Sequence, residues 1–460
     1  MISPQELASL LGPLLLNPRD NYPRTPFFDA VVDSRRVNPG ALFIALRGEN
    51  TDGHHFLGDA LERGATGLLC RVTGETIPTS EDRDNVSLFQ VEDPLSALQA
   101  AAKRWREQHT TRVVSLTGSV GKTTTREAVA QLLASRAPTL ESPFNYNSEI
   151  GLPLSLLRLE PQHVWAVLEM GPYDLREISL LCEIAQPEIG IVTNVGPTHL
   201  ERFGSIEAIE EAKGQLPASL PPGGLAVLNA DDPLTLRMRD RTSARVLTFG
   251  RSEQADIRAT DETSQGLDGL GFTLNFEGQS VAIRTPLVGA HHVMTALAAA
   301  AVVLGNDWTL TETAEALSTL RAGQRLKPRR SYSGALILDD TYNAAPLSMQ
   351  AALDLLAELP GNRVAVLGDM LELGGEEEAG HRAVGAYSVG RCDRLIAIGE
   401  LAKITADAAW DAGHQQIQWF EDKAPATEIL RQELGADDVV LIKASHAQEL
   451  ETMVEALITP

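Results

Sequence analysis

At 460 residues the chain is too long for one hydrophobic core, and its length and ordinary apolar content point to about three globular domains. A formal charge of −23 leaves no basic face to neutralise a phosphate backbone, which excludes nucleic acid as the main partner. Three scattered cysteines, no apolar run of transmembrane length and no basic-then-apolar N-terminus predict a soluble, cytoplasmic protein with no membrane insertion.

A short amphipathic segment, Ser3 to Leu11, opens the chain. Val31-Val32-Asp33-Ser34-Arg35-Arg36 leads through Pro39-Gly40 to a strand over Leu42 to Leu46, which ends in Arg47-Gly48. Thr51-Asp52-Gly53-His54-His55-Phe56 then turns into a helix over Leu57 to Arg63. Serine, arginine and aspartate at strand ends suit a phosphate-bearing ligand; the plainer reading pairs Asp33 with Arg35 at a surface turn. Asp93-Pro94-Leu95 caps a helix to about His109, a natural hinge.

The apolar run Val113-Val114-Ser115-Leu116 enters Thr117-Gly118-Ser119-Val120-Gly121-Lys122-Thr123-Thr124-Thr125, and a helical pattern follows from Arg126 to Leu133. Strand, glycine turn and helix form the context of a phosphate-binding loop. Glycines let backbone N–H groups curl round phosphate, and the helix N-terminus adds its positive end. Lys122 would reach the outer phosphates of ATP and the Thr123 hydroxyl would ligate Mg²⁺. Leu116 stands where the standard pattern has its first glycine, so the loop is shorter and starts at Gly118.

Alternating strands and helices then predict a mostly parallel sheet covered on both faces. An amide-rich loop, Phe144 to Pro153 with Asn145 and Asn147, precedes a buried strand, Val164 to Met170, whose end carries Glu169. Ligands sit beyond the carboxyl ends of such strands, so Glu169 is placed to meet nucleotide or metal. Gly190 to Asn194 is the next strand, followed by Val195-Gly196-Pro197-Thr198-His199. Imidazole is an unusual Mg²⁺ ligand, so His199 by itself reads as a loop hydrogen bonder. On the helix Ile206 to Ser219, Glu210 and Lys213 lie three apart and read as a solvated ion pair. A strand over Gly224 to Asn229, a β-rich insertion or edge sheet from Asp256 to Arg284 and an alanine-rich helix from Gly289 to Gly305 complete this part.

Beyond Gly323-Gln324-Arg325-Leu326 the alternation restarts. It runs through a strand at Ala335–Asp339, a helix at Leu347–Glu358 and strands at Arg363–Leu367, Arg394–Ile398 and Val439–Ile442. Asp339-Asp340-Thr341-Tyr342-Asn343-Ala344-Ala345-Pro346 and Gly368-Asp369-Met370-Leu371-Glu372-Leu373-Gly374 both leave strand ends, where ligand contacts belong. Asp369 and Glu372 either reach a ligand or only cap and orient their loop. Glu376-Glu377-Glu378 reads as a solvated helix start.

In this order, TGSVGKTTT, Asn145 to Pro153, Glu169-Met170-Gly171, TNVGPTHLERFGS, Ala212-Lys213-Gly214, DDTYNAAP and LGDMLELG resemble the Mur ligase family across essentially the whole chain. The resemblance implies an α/β fold of three domains. These are a small UDP-substrate-binding domain at 1–108, a central P-loop ATPase-like parallel sheet at 109–322 and a Rossmann-like domain at 323–460. DDTYNAAP and LGDMLELG resemble the member that adds D-alanyl-D-alanine to a UDP-linked muramoyl tripeptide. That activity implies ATP, Mg²⁺, an acyl-phosphate intermediate and a monomer that closes on its substrates. By motif, Gly118 to Thr124 would hold nucleotide phosphates with Lys122. Thr123, Glu169 and His199 would serve metal, and Lys213 matches the family's carbamylated lysine, formed with CO₂. Arg325, Asp340, Tyr342 and Asn343 would contact nucleotide. Ser34, Arg35 and Arg47 would lie near UDP, and Asn145, Asn147, Lys443 and Ser445 near substrate.

Several positions depart from the family pattern. His292 and Thr295 replace two asparagines that serve adenine, Gln215 replaces a glutamate, and Ala444 and His446 replace the glycine and arginine of Lys-Gly-Ser-Arg. Two other readings remain open: a paralogue that joins a different amine or carboxylate, and a nucleotide-binding scaffold without catalysis. The intact Glu169, His199 and Lys213 speak against the scaffold.

Overall fold

A computed structural model describes residues 1–48, 51–71, 86–143, 145–172, 174–198, 200–321 and 326–459. The boundary expected at 322 and 323, and the expected site residues His199 and Arg325, lie outside the described residues. Among the described residues no helix is long and apolar enough to cross a membrane.

Three sheets stack along the chain. The first is parallel, in the order β1 (Ala30–Val31), β2 (Leu42–Ile44), β3 (Gly67–Arg71), β4 (Ser87–Val91). The expected opening helix is Pro4–Leu11, closed by a capping box between Ser3 and Glu6. Its buried Leu7, Leu10 and Leu11 share one apolar cluster with Leu152, Leu168 and Ile178, so the first domain is welded to the second rather than tethered to it.

The second sheet has nine strands. They are β5 (Arg112–Thr117), β6 (Thr139–Glu141), β7 (Trp165–Glu169), β8 (Ile189–Val192), β9 (Leu225–Asn229), β10 (Arg245–Gly250), β11 (Ile257–Ser264), β12 (Leu270–Phe276) and β13 (Gln279–Thr285). The spatial order is β13-β12-β11-β10-β9-β8-β5-β7-β6. The β-rich stretch is thus an antiparallel edge added to the parallel sheet. The helices Lys122–Ala134 and His292–Leu304 cover one face, the latter buried along nearly its whole length because alanines let it approach closely.

The third sheet runs β14-β15-β19-β16-β17-β18, with β14 (Lys327–Arg330), β15 (Leu336–Asp340), β16 (Asn362–Gly368), β17 (Arg394–Ile398), β18 (Ile417–Phe420) and β19 (Asp438–Lys443). Only β14 is antiparallel. The last-arriving β19 sits between β15 and β16 and brings Lys443 into register with Asp340. This domain packs on the second at both ends of the helix Pro346–Glu358. Leu347 reaches Gly196 near the helix start; at its far end Ser264 hydrogen-bonds Glu358 and Leu267 packs on the third-domain core.

Candidate active site

β5 ends beside β7 on one side and β8 on the other, a switch point in the parallel sheet where ligands are expected. The chain turns there through Gly118 (φ 152°) and Gly121 (φ 83°) into the helix that starts at Lys122. A side chain at Gly118 would collide with Thr193, which is why only glycine fits. The loop after β8 braces the turn. Val120 N donates to Asn194 Oδ1 (2.9 Å), Thr193 Oγ1 donates to the Val120 carbonyl (2.7 Å), and Ser119 Oγ donates to the Gly196 carbonyl (2.8 Å). No side chain caps the helix at Gly121, so its first N–H groups point at the cavity, ready for an anion. Lys122 Nζ donates to the Gly118 carbonyl at 2.8 Å, close to where phosphates would lie.

Glu169 is almost wholly buried at the end of β7. Its Oε2 accepts from Thr123 Oγ1 at 3.1 Å and lies 3.4 Å from the Arg126 guanidinium; Oε1 accepts from Asn147 Nδ2 at 2.9 Å. Adjacent oxygens on an octahedral Mg²⁺ are about 2.9 Å apart, so Thr123 and Glu169 fit as neighbouring ligands of that ion. Among the described residues no three His, Cys, Asp or Glu side chains form a metal cage. A Mg²⁺ that keeps waters and phosphate oxygens needs only one or two carboxylates.

Lys213 is 2 % exposed, and the ion pair read from its spacing is not formed: Glu210 instead binds Arg237 at 2.7 Å. Helix packing turns Lys213 inward and Glu210 outward. Among the described residues Lys213 has no hydrogen-bond or ion-pair partner, and burial beside Lys122 holds its amine well below the usual lysine range. The Gln215 side chain clamps the neighbouring segment, accepting from Ser179 N at 2.9 Å and donating to the Leu175 carbonyl.

A cavity of about 640 Å³ lies between the second and third domains. The phosphate loop, Asn145, Asn147 and Glu169 line it from one side, and Asp340, Tyr342, Asn343, Lys443 and Ser445 from the other. Lys443 is 2 % exposed; its Nζ donates to Asp340 Oδ2 (2.6 Å) and to the Asn343 carbonyl (2.7 Å). It therefore anchors the DDTYNAAP loop rather than standing free in the cleft. Among the described residues, the buried Asp340 Oδ1 has no hydrogen-bond partner, an acceptor available to a ligand hydroxyl or amine. His446 stacks on Tyr342 with centroids 5.7 Å apart. His291 and His292 lie in the same wall with ring centroids 4.0 Å apart and planes tilted by 42°; burial, His292, Lys443 and Arg251 hold the His291 imidazole well below its usual range.

The other expected contacts fall elsewhere. In the first domain Arg35 is exposed and bound bidentately by Asp33, the plainer of its two readings, while Ser34 is buried and hydrogen-bonds Asp59. Arg47 is exposed, and its backbone pairs with that of Asp52 in an isolated antiparallel β-bridge. Asp369 caps the helix Ala402–Asp411 through Ala402 N at 2.7 Å. Sequence reasoning missed Arg126, which is 3 % exposed and ringed by Glu127, Glu141 and Glu169. Its only signal is a charged residue on the inner face of the phosphate-loop helix. The brace formed by Thr193 and Asn194 was legible as a strand-end loop but not as a partner of Val120.

Known proteins fit this geometry. Residues 31–106 match the model described as Mur ligase family, catalytic domain, residues 116–303 the Mur ligase middle domain, and residues 324–446 the Mur ligase, glutamate ligase domain. The UDP-N-acetylmuramoyl-tripeptide–D-alanyl-D-alanine ligase of Bacillus subtilis is 34% identical over 99% of this chain and 98% of its own. Its Escherichia coli namesake is 37% identical over 93% of each. The crystal structure of MurF from Acinetobacter baumannii superposes with a TM-score of 0.85 at 29% identity, covering 99% of this chain and 98% of that one. MurF ligase from Thermotoga maritima, solved in complex with ADP, gives 0.77 at 29% identity over 93% and 96%. A phosphate loop and a magnesium-spaced oxygen pair facing one interdomain cleft, with these matches along the chain, place it in the Mur ligase family.

Proposed function

We propose that this chain is the cytoplasmic, ATP-dependent ligase that joins D-alanyl-D-alanine to a UDP-linked muramoyl tripeptide through an acyl phosphate. The observation that carries the reading is the cavity between the second and third domains, where the phosphate loop and Glu169 face Asp340, Tyr342 and Lys443. The names of relatives matched over nearly the full chain support the same substrates. Bound Mg²⁺ would neutralise charge on the phosphates during transfer.

Within this reading the chain mainly positions and neutralises. The first N–H groups after Gly121 and the Lys122 ammonium would hold the phosphates, Thr123 and Glu169 would hold Mg²⁺, and the family resemblance assigns His199 to a second ion. Asn147 and Arg126 fix the Glu169 carboxylate. Asp340, Tyr342, Asn343 and Arg325 meet the nucleotide. Ser34, Arg35 and Arg47 receive UDP, while Asn145, Asn147, Lys443 and Ser445 shape the substrate side. Lys213 is suited to carbamylation because only the uncharged amine adds CO₂, and burial favours that form. The carbamate would place a negative charge beside Lys122. We assign the domains to 1–108, 109–322 and 323–460 and take the protein to act as a monomer.

Product mass tests the assignment. Incubation with Mg²⁺-ATP, the UDP-linked tripeptide and an equimolar mixture of D-alanyl-D-alanine and single amino acids should give only the dipeptide adduct. Preferential capture of another amine would make the chain a paralogue of different specificity. For the carbamate, Lys213→Ala should abolish turnover; unchanged turnover would remove Lys213 from the mechanism.

A further inference from the structure

Glu169, at the end of β7, marks the metal-facing side of the phosphate loop that follows β5. On the other side the cavity continues past β8 to the ends of β9 and β10, where Asn229, Phe249 and Arg251 line it. β10 stands three strands from β5, a reach of about 14 Å. A nucleotide with its outer phosphates at Lys122 and the Thr123–Glu169 pair has this one open direction along the second domain for its base.

The corner so reached offers apolar faces and few free polar groups. Phe249 and Leu326 are buried in it, and Met294 and the rings of His291 and His292 complete the wall. Asn229 is spent on backbone: its Nδ2 donates to the Thr193 carbonyl (2.7 Å) and its Oδ1 accepts from Asp231 N (2.9 Å). Arg251 donates to both oxygens of Glu262 (2.7 and 2.9 Å) and to the Ala290 carbonyl (3.1 Å). His292 Nδ1 donates to the Val288 carbonyl at 2.5 Å. Thr295, 5 % exposed, and His291 line the same corner, and among the described residues neither side chain has a hydrogen-bond partner. They stand four residues apart at the start of the helix His292–Leu304, so both belong to one side of it.

Purines differ at the 6-position, where the amino group of adenine donates and the oxo group of guanine or hypoxanthine accepts. A carboxamide matches N6 and N7 of adenine in a fixed plane, and its oxygen would oppose a 6-oxo group. A threonine hydroxyl instead carries one donor and two acceptor lone pairs and rotates to suit. A neutral imidazole carries one donor and one acceptor, exchangeable between its nitrogens. His291 is held in that neutral form by burial and by its cationic neighbours. We propose that this corner receives the purine base, and that Thr295 and His291 bind its 6-position in either polarity, so that 6-oxo purine triphosphates replace ATP as phosphoryl donors.

The inference rests on the ligase reading and names the class of nucleotide its site takes. The transfer is the same for either base. A carboxylate oxygen of the tripeptide forms the bond to the γ-phosphorus, the bond from that phosphorus to the β-phosphate oxygen breaks, and the nucleoside diphosphate leaves with the electron pair.

The test titrates the full-length protein with Mg²⁺-ATP and Mg²⁺-ITP, which differ only at the purine 6-position. The two Kd values should agree within about tenfold, whereas a site built for one hydrogen-bond polarity rejects the wrong partner by about 10⁴- to 10⁵-fold. Phosphate release in the presence of both co-substrates should show the same tolerance. Thr295→Val should weaken both nucleotides equally, by about fivefold, the loss of one hydrogen bond. Thr295→Asn should create a preference for ATP of about 10- to 10²-fold, a gain that misfolding cannot mimic because it lowers both affinities alike. A wild-type preference for ATP of about 10²-fold or more would overturn the proposal. So would Kd values that Thr295→Val leaves untouched, or ITP that binds but releases no phosphate where ATP does. A protein that binds neither nucleotide would instead sink the ligase reading beneath it.

Discussion

Gly118→Ala probes whether the phosphate loop works by close packing. A Cβ there would lie 1.8 Å from Thr193 Oγ1 and 3.1 Å from Thr193 Cβ, and Thr193 is itself buried. Moving the hydroxyl away breaks its 2.7 Å bond to the Val120 carbonyl, worth about 1 kcal/mol. Forcing a methyl into a filled site adds roughly 1–3 kcal/mol. The substitution should therefore destabilise the second domain by about 2–4 kcal/mol and weaken ATP binding in parallel. Thr193→Ala opens the space, and the Val120 carbonyl keeps its bond from Asn194 Nδ2 at 2.9 Å. The double variant should accordingly recover about 2 kcal/mol relative to additivity. Denaturant unfolding and ATP titration of all four proteins complete the cycle. Coupling below about 0.5 kcal/mol would refute the packing argument, because distant independent sites add to within that margin.

Lys443→Met leaves the buried Asp340 carboxylate uncompensated and should cost about 3–5 kcal/mol in urea unfolding. Adding Asp340→Asn should restore most of the stability but not ligation. His291 stays neutral in the native protein because its folded pKa lies below the ordinary 6.5, so the unfolded chain binds the extra proton. Stability should hold above pH 6.5 and fall as pH drops below it, and His291→Asn should flatten that fall in melting temperature against pH. The flattening is partial, because burial depresses His163 and His414 in the same direction. Gly374→Ala would push the third domain off Glu201; a displacement of about 1 Å at the reacting groups costs roughly 10²-fold, read as kcat with the melting temperature little changed.

What the sequence made legible was local. The phosphate loop, the carboxyl-terminal position of Glu169 and the Asp340 loop follow from strand–turn–helix patterns that a few consecutive residues carry. The opening helix and the alanine-rich helix were readable from apolar spacing for the same reason. Lys213 was misread from spacing because an i, i+3 pair says nothing about which face of a helix is buried, and packing against the sheet decides that. The Lys443–Asp340 contact was hidden because β19 inserts between β15 and β16, an order that no local signal encodes. Arg126 was overlooked because a buried arginine looks like a surface one until Glu141 and Glu169 are brought round it from two other strands. Asp369 and Glu372, equal candidates in sequence, are told apart only by the helix that Asp369 caps.

The most direct measurement is phosphate release from Mg²⁺-ATP in bicarbonate buffer, with the UDP-linked tripeptide and D-alanyl-D-alanine supplied singly and together. The account predicts sustained release only when both are present, one phosphate for each dipeptide incorporated. Measurable ATP binding with no release under any combination would contradict it and leave a nucleotide-binding scaffold in its place.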